Sequence, residues 1–233
     1  MNILAIDTCL GALSVAIGRE LQDGRYCVAE RYEERATAHA ERLAPMVEAE
    51  MARAGLSFRD LDRVAVTLGP GTFTGVRTGI AFARGLRLAA GVEVVGTSSL
   101  AVIAHRAFEL AEPMAPPAPL LVAVDARRGK LYVQLFGAGN ALQPLSGPEE
   151  VTPDGAADVA RRHGALLAGS GARAVVDVAG EAALQVVIDD IEPHAGDLVH
   201  LARRLTPLDD VTPLYIRPPD AKPQADKRLA RTS

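Results

Sequence analysis

One pattern occurs near the start of this chain and again at its middle. The run Ile3–Asp7 aligns without gaps to Leu121–Asp125, and in the same register Gly11 falls on Gly129. Each copy is an apolar run ending in Asp, a short turn with a glycine, and a second run with alternating apolar positions, which is typical of a β-hairpin. Chance is the alternative explanation, because runs of Val, Ile and Leu match easily, but composition does not explain the aligned Asp and Gly. The repeat therefore predicts a duplicated α/β fold.

Helical and strand patterns alternate along the rest of the chain, and a proline cluster at residues 112–119 divides it. We expect helices beginning after Thr37 and over about Val76–Ala90, Ser98–Leu110, Asp154–His163 and Ala195–Leu205, with strands at Arg63–Leu68, Glu93–Gly96 and Ala165–Gly169. A length of 233 residues allows one large domain or two small ones. We predict an N-terminal lobe over residues 1–111, a smaller lobe over 112–215, and a basic, proline-containing tail over 216–233.

Composition limits the compartment and the partners. The net charge of −4 argues against a chain that holds nucleic acid by bulk charge, and the absence of Trp requires a core of Ala, Val, Leu and Ile. The two cysteines indicate a reducing compartment. No secretory signal or membrane-spanning run of about 18 apolar residues is evident, so we expect a cytoplasmic protein with no membrane contact.

The loop from Gly69 to Gly75 follows a predicted strand and opens a helix. Its backbone N–H groups could bind a phosphate near Gly69, Gly71 and Thr72, or its glycines could simply allow a tight turn. Both interpretations stay open. The Gly-Lys-Ser/Thr ending of a P-loop is missing, and Lys130 is the only lysine before the tail, which excludes a stand-alone Walker NTPase.

Small residues recur every four positions in the helix that follows. Gly75, Gly79 and Ala83 form one row, and Ala81, Gly85 and Ala89 form another. A glycine inside a helix costs about 1 kcal/mol relative to alanine, so a packing reason is expected. The rows could pack on the chain's own sheet, on a partner helix, or one on each.

No catalytic or metal-binding constellation emerges from the sequence. The histidines at positions 39, 105, 163, 194 and 200 lack the i, i+4 spacing of a helical zinc site, and no Gly-x-Ser-x-Gly elbow is present. Cys9 is better explained as a small buried residue than as a nucleophile. Asp7 and Asp125 end the first strands of the two hairpins; they could hold a metal ion in a nucleotide cleft or cap their own turns.

Several stretches together resemble the bacterial TsaB (YeaZ) family, and the likeness runs nearly end to end. The stretches are Ile3–Thr8, His39–Met46, Gly69–Arg77, Val94–Leu100 and Tyr215–Ala221. Two positions depart from the family pattern: Cys9 stands where Ser is more common, and Ala40 where Ser usually follows the His. The resemblance implies two actin/Hsp70-like (ASKHA, ribonuclease H-like) lobes with mixed sheets flanked by helices.

The resemblance also implies a function. Members take part in forming threonylcarbamoyladenosine next to the anticodon of tRNA, as a scaffold that pairs with the related transferase subunit TsaD, joined by the ATPase TsaE. It implies contact with tRNA through the complex, a homodimer when alone, and ATP or ADP and a divalent metal for the complex but no cofactor bound by this chain alone. The alternatives are a glycoprotease-like metallopeptidase or an autonomous ATPase of the same fold; a further possibility is direct capture of tRNA by the tail.

The resemblance places the partner surface on two helices, about His39–Ala54 and Val76–Ala90. We expect partner contacts at His39, Leu43, Met46, Val47, Glu50, Val76, Gly79, Ile80, Ala83, Gly85 and Arg87. We expect any nucleotide or phosphate to lie near Asp7, Thr8, Gly69, Gly71, Thr72 and Asp125, and we expect no catalytic residue and no metal ligand in this chain.

Overall fold

The computed structural model describes residues 1–34, 38–111, 118–180 and 184–216. The first half contains β1 (Asn2–Asp7), β2 (Leu13–Glu20), β3 (Tyr26–Glu33), α1 (His39–Ala54), β4 (Arg63–Thr67), α2 (Phe73–Ala90), β5 (Glu93–Thr97) and α3 (Ser99–Ala111). The second half contains β6 (Leu120–Arg127), β7 (Lys130–Gly137), β8 (Asn140–Pro144), β9 (Glu149–Val151), α4 (Pro153–His163), β10 (Leu166–Ala168), α5 (Ala172–Ala179), β11 (Val186–Ile188) and α6 (Ala195–Ala202).

The two halves form sheets of the same topology. The first has the strand order β3-β2-β1-β4-β5, and the second has the order β11-β10-β6-β7-β8, with β9 also paired to β7. In each, the first strand is antiparallel to the second and parallel to the strand that follows the first helix of that half, β4 or β10. When β9 is left out and the strands of each half are numbered from its hairpin, the two orders are the same. The predicted α/β class with duplicated actin/Hsp70-like lobes is therefore confirmed.

Helices cover both faces of both sheets. Helices α1 and α2 pack on the outer face of the first sheet, α4 and α5 on the outer face of the second, and α3 and α6 lie between the sheets. Alternation along β1 follows from this arrangement: Ile3 and Ala5 face the layer between the sheets, whereas Leu4 and Ile6 face α1 and α2. Because both faces are buried, the strand reads as one continuous apolar run.

Most predicted elements are present, with some boundaries moved. Helix α2 begins at Phe73, earlier than predicted, because the Thr72 side chain accepts a hydrogen bond from the Gly75 N–H and caps it. Helix α6 ends at Ala202 and not at Leu205. Strands β3, β8, β9 and β11 and helix α5 were not predicted; β3, at the edge of its sheet, has the sequence Tyr-Cys-Val-Ala-Glu-Arg-Tyr-Glu. Thr37 and most of the proline cluster lie outside the described residues.

The last described segment returns to the first sheet. Helix α6 contacts β1 and β2, the Leu208 N–H donates to the Val94 carbonyl at 2.9 Å, and the Leu214 N–H donates to the Leu68 carbonyl at 2.7 Å. This segment was assigned by sequence to the second lobe, although its packing is with the first; the lobe boundaries remain a prediction. The basic tail beyond Ile216 lies outside the described residues.

Candidate functional site

A cleft of about 520 Å³ opens where the two hairpins meet two glycine-rich loops. Its lining includes Gly11, Gly71, Thr72, Asp125, Ser170 and Glu192. Each lobe contributes one hairpin end and one strand-to-helix loop. The duplication therefore brings three of the residues predicted near a nucleotide, Gly71, Thr72 and Asp125, to one place, whereas Asp7, Thr8 and Gly69 do not line the cleft.

Close packing accounts for the glycines of the first loop. A Cβ on Gly71 would lie 2.1 Å from the Cys9 carbonyl oxygen, and a Cβ on Gly75 would lie 2.0 Å from that of Thr8. The Thr72 N–H donates to the Cys9 carbonyl at 2.7 Å, and the Thr8 hydroxyl donates to the Gly75 carbonyl at 2.7 Å. This contact between the loop and β1 gives the glycines a structural role; phosphate binding at Gly69, Gly71 and Thr72 remains a prediction.

A second loop of the same kind, Gly169-Ser170-Gly171, was missed in the sequence. It follows β10 and precedes α5, as Gly69–Gly71 follows β4 and precedes α2. Gly69 and Gly169 both have φ of +103°, in the region that favours glycine. The Ser170 hydroxyl accepts a hydrogen bond from the Asp125 N–H at 3.2 Å. A Gly-x-Gly pair between a strand and a helix was the signal that could have found it.

Asp7, the last residue of β1, is fully buried and does not line the cleft. Its Oδ1 accepts a hydrogen bond from the Thr67 hydroxyl at 2.5 Å, whereas its Oδ2 has no hydrogen-bond partner among the described residues. Burial, which penalises the charged form, raises the pKa of Asp7 to about 7, and the nearby Glu192 carboxylate adds to the shift. The side chain therefore retains its proton well above the pH at which an exposed aspartate ionises.

This shift makes stability depend on pH. The folded state holds the Asp7 proton up to about pH 7, whereas the unfolded chain loses it near pH 4, so this group lowers stability as pH rises between those values. The unfolding free energy of the unchanged chain should fall as the pH rises from 5 to 7.5. We expect this fall to be about 2 kcal/mol smaller in Asp7→Asn, as measured by urea denaturation. The exposed Asp177→Asn is the control. Equal pH dependence in both variants would contradict the assignment.

Asp125, the counterpart of Asp7 in the second hairpin, is exposed. Its Oδ1 accepts a hydrogen bond from the Arg127 N–H at 2.7 Å, so the side chain caps its own turn, one of the two alternatives left open. Thr8, also predicted near a nucleotide, is buried against α2. Within the described part of the chain, no group of three or more His, Cys, Asp or Glu side chains is placed to hold a metal ion.

The chain's own Glu192 occupies part of the cleft. Its Oε2 accepts a hydrogen bond from the Gly11 N–H at 3.2 Å, in the turn between β1 and β2. Burial raises the pKa of Glu192, while the backbone hydrogen bond opposes the shift. A backbone amide that could face a bound phosphate therefore already has an internal carboxylate partner.

A groove of about 440 Å³ lies between α1 and α2 on the outer face of the first lobe. Ala40 and Ala44 of α1 face Thr74, Thr78 and Ala81 of α2 across it. The Phe73 side chain at one end is 54% exposed. The groove is mostly apolar and has small side chains along both sides, so a further helix can approach closely.

The predicted partner residues are mostly inside the fold and not on this groove. Those buried by the chain itself are Leu43, Met46, Val47, Glu50, Val76, Gly79, Ile80 and Ala83. Of all those predicted, only Leu43 lines the groove, His39 and Arg87 are half-buried, and Gly85 is exposed. Most of the residues predicted from the resemblance therefore lie on the faces of α1 and α2 that pack on the sheet. Direct partner contact is instead available to the exposed residues around Ala81.

Three arginines of α2 hold the last described segment. Arg87 donates to the carbonyls of Leu208 and Asp209, and Arg84 pairs with Asp210 at 2.9 Å. The Arg77 guanidinium lies 3.7 Å from the centre of the Phe73 ring, and its Nε donates to the Tyr215 hydroxyl at 2.7 Å. Arg87, predicted at the partner surface, thus makes its hydrogen bonds within the chain.

Comparisons with known proteins agree on one family. The family model described as "TsaD: tRNA N6-adenosine threonylcarbamoyltransferase" matches residues 32–154. An uncharacterised protein of Mycobacterium tuberculosis is 35% identical over 96% of this chain and 95% of its own length. The Escherichia coli tRNA threonylcarbamoyladenosine biosynthesis protein TsaB is 39% identical over 57% of this chain and 53% of its own length.

The solved structures agree with this result. YeaZ from Pseudomonas aeruginosa superimposes with a TM-score of 0.73 and 28% identity, over 92% of this chain and 99% of that one. Among the described residues, no helix is long and apolar enough to cross a membrane.

Proposed function

The chain belongs to the TsaB family, and from that membership we propose that it is a non-catalytic partner subunit in the synthesis of tRNA threonylcarbamoyladenosine. In this proposal it pairs with a TsaD-type transferase. The observation that carries the proposal is the α1–α2 groove, which is apolar, lined by small residues and open at the surface. Such a groove accepts a helix from a partner.

The cleft supports a role without catalysis. Glu192 places a carboxyl group in the cleft and Asp7 is fully buried at the end of β1, and both groups have raised pKa values because burial penalises their charge. Phosphates brought to the turn at Gly11 would have to displace the Glu192 carboxylate. We therefore assign ATP or ADP, and any divalent metal, to the assembled complex and not to this chain.

Other partners follow from the same proposal. A TsaE-type ATPase joins the pair, and tRNA is reached through the complex. The isolated chain forms a homodimer through the same groove, because an apolar surface offered to a related lobe can also accept a second copy. The homodimer and the heterodimer then compete for one surface.

Reconstitution tests the proposal. The purified chain is combined with the TsaD-type and TsaE-type proteins of the same organism, ATP, the threonylcarbamoyl-adenylate donor and tRNA, and the modified nucleoside is measured by mass spectrometry. We expect product formation to fall at least about tenfold when this chain is left out, because the transferase then lacks its partner, and we expect no product from this chain alone. Full activity without it, or turnover by the chain alone, would refute the proposal.

A further inference from the structure

A third cavity, of about 310 Å³, lies between the C-terminal part of α3, the turn that joins β7 to β8, and the residues that follow α6. It has no lining residue in common with the cleft or the α1–α2 groove. The function proposed above makes no use of it. Its lining brings together two histidines and two arginines from distant parts of the sequence.

The two histidines form a stacked pair at this cavity. The rings of His105 and His200 are nearly parallel, with an interplanar angle of 5° and centroids 5.8 Å apart. His105 Nδ1 lies 3.3 Å from Asp197 Oδ1, but at an angle that does not make a hydrogen bond. Burial lowers the pKa of His200, and the neighbouring His105 lowers it further, against the opposing effect of Asp197.

Two arginines supply fixed positive charge. The Arg203 guanidinium lies over the Tyr26 ring, 4.3 Å from its centre, which holds it in place. The Arg204 side chain makes no hydrogen bond or ion pair with another described residue, and it is exposed at the cavity. A guanidinium without an internal partner can bind an oxyanion through two parallel N–H groups.

Acidic groups also face the two histidines. Glu109 lines the cavity, and Asp197, on α6, is paired with Arg106 at 3.4 Å. When both histidines are neutral, the two guanidinium groups of Arg203 and Arg204 and the carboxylate of Glu109 sum to a local charge of +1. Asp197 does not change this sum, because Arg106 neutralises its charge. Protonation of the two rings would raise it to +3. The cavity therefore favours an anion, more strongly at lower pH.

We propose that this cavity binds a phosphate group, through the guanidinium groups of Arg203 and Arg204 and the ring of His200, and that the histidine pair takes up a proton from solvent on binding. The anion adds negative charge beside the two rings, which favours their protonated forms. Its source is either the backbone of a nucleic acid or a small phosphorylated molecule, because both present the same oxygen atoms.

Sulfate is the first probe, because its charge does not change across the pH range in which histidine titrates. The imidazole resonances of His105 and His200 are followed by NMR in the full chain, assigned with His→Gln variants. We expect sulfate to shift them saturably, to raise the pKa of His200, and to bind more tightly at pH 5.5 than at pH 7.5. Arg204→Ala should weaken binding about tenfold or more, because one charge-assisted contact is lost.

The control is Arg59→Ala, which removes an exposed arginine from the 3₁₀ turn Phe58–Asp60 outside the cavity. If the shifts do not saturate, or if both variants weaken binding equally, the site holds an adventitious ion only and the proposal fails. Competition then identifies the source. Displacement of sulfate by a short single-stranded RNA indicates a nucleic-acid backbone, displacement by inorganic phosphate alone indicates a small ligand, and displacement by neither overturns the proposal.

Discussion

Gly75→Ala is expected to lower the unfolding free energy by about 3 kcal/mol, because the added methyl group cannot be accommodated. Its Cβ would lie 2.0 Å from the Thr8 carbonyl oxygen and 2.6 Å from the Thr72 hydroxyl oxygen that caps α2. Backbone cannot move aside as a flexible side chain can, so either β1 or the start of α2 must shift. Urea denaturation followed by circular dichroism measures the change.

Other glycines of the same helix provide the matched series. A Cβ on Gly79 would lie 2.7 Å from the Thr8 hydroxyl oxygen, which is a side-chain atom and not backbone. Gly79→Ala should therefore lower the unfolding free energy by less than Gly75→Ala does. Gly85 faces open space, so Gly85→Ala should raise the unfolding free energy by about 1 kcal/mol, because alanine has the higher helix propensity. A similar change in stability at all three positions would show that the close contact between β1 and α2 is not what requires glycine.

Ala81→Arg is expected to weaken binding of the TsaD-type partner at least about a hundredfold. Ala81 is exposed, lines the α1–α2 groove and faces Ala40 and Ala44 across it. A long charged side chain there fills the space that a partner helix would occupy and loses its hydration on binding. Binding is measured by calorimetry with the purified partner, and thermal unfolding verifies that the variant is folded.

Ala49→Arg is the matched control, since Ala49 is also exposed and helical but does not line the groove. It should bind the partner as the unchanged chain does. Sedimentation of the chain alone extends the test, because Ala81→Arg should also abolish a homodimer that uses the same groove. Equal affinity of both variants would place the partner surface elsewhere.

The fold was largely predictable because the strongest patterns are local. Both faces of β1 and β6 are buried, so each is a continuous apolar run, and the repeated Asp and Gly mark where each hairpin turns. Helices α1, α2 and α4 were predicted close to their observed bounds, because helical periodicity is also a local pattern. Strand β3 was not found, because this partly exposed edge strand, Tyr-Cys-Val-Ala-Glu-Arg-Tyr-Glu, has neither a long apolar run nor a regular alternation of apolar and polar residues.

The candidate sites were less predictable, because a pattern identifies a face without showing what covers it. The row Gly75, Gly79 and Ala83 packs on the chain's own sheet, whereas Ala81 and Gly85 face outward. Nothing in the spacing distinguishes the two rows. Likewise Asp7 and Asp125 hold equivalent positions in the repeat, yet one is fully buried and the other is exposed.

The sequence alone determined the duplication, the α/β class and the family, because these depend on residues that are neighbours in the chain or on motifs that stand in a fixed order. Tertiary structure decided everything that depends on residues far apart in the chain. It brought Glu192 onto the turn at Gly11 and aligned the ring of His105 with that of His200. It also turned one small-residue row of α2 toward the sheet and the other toward solvent. Burial and charge at a site are sums over such distant neighbours, and only the folded chain brings those neighbours together.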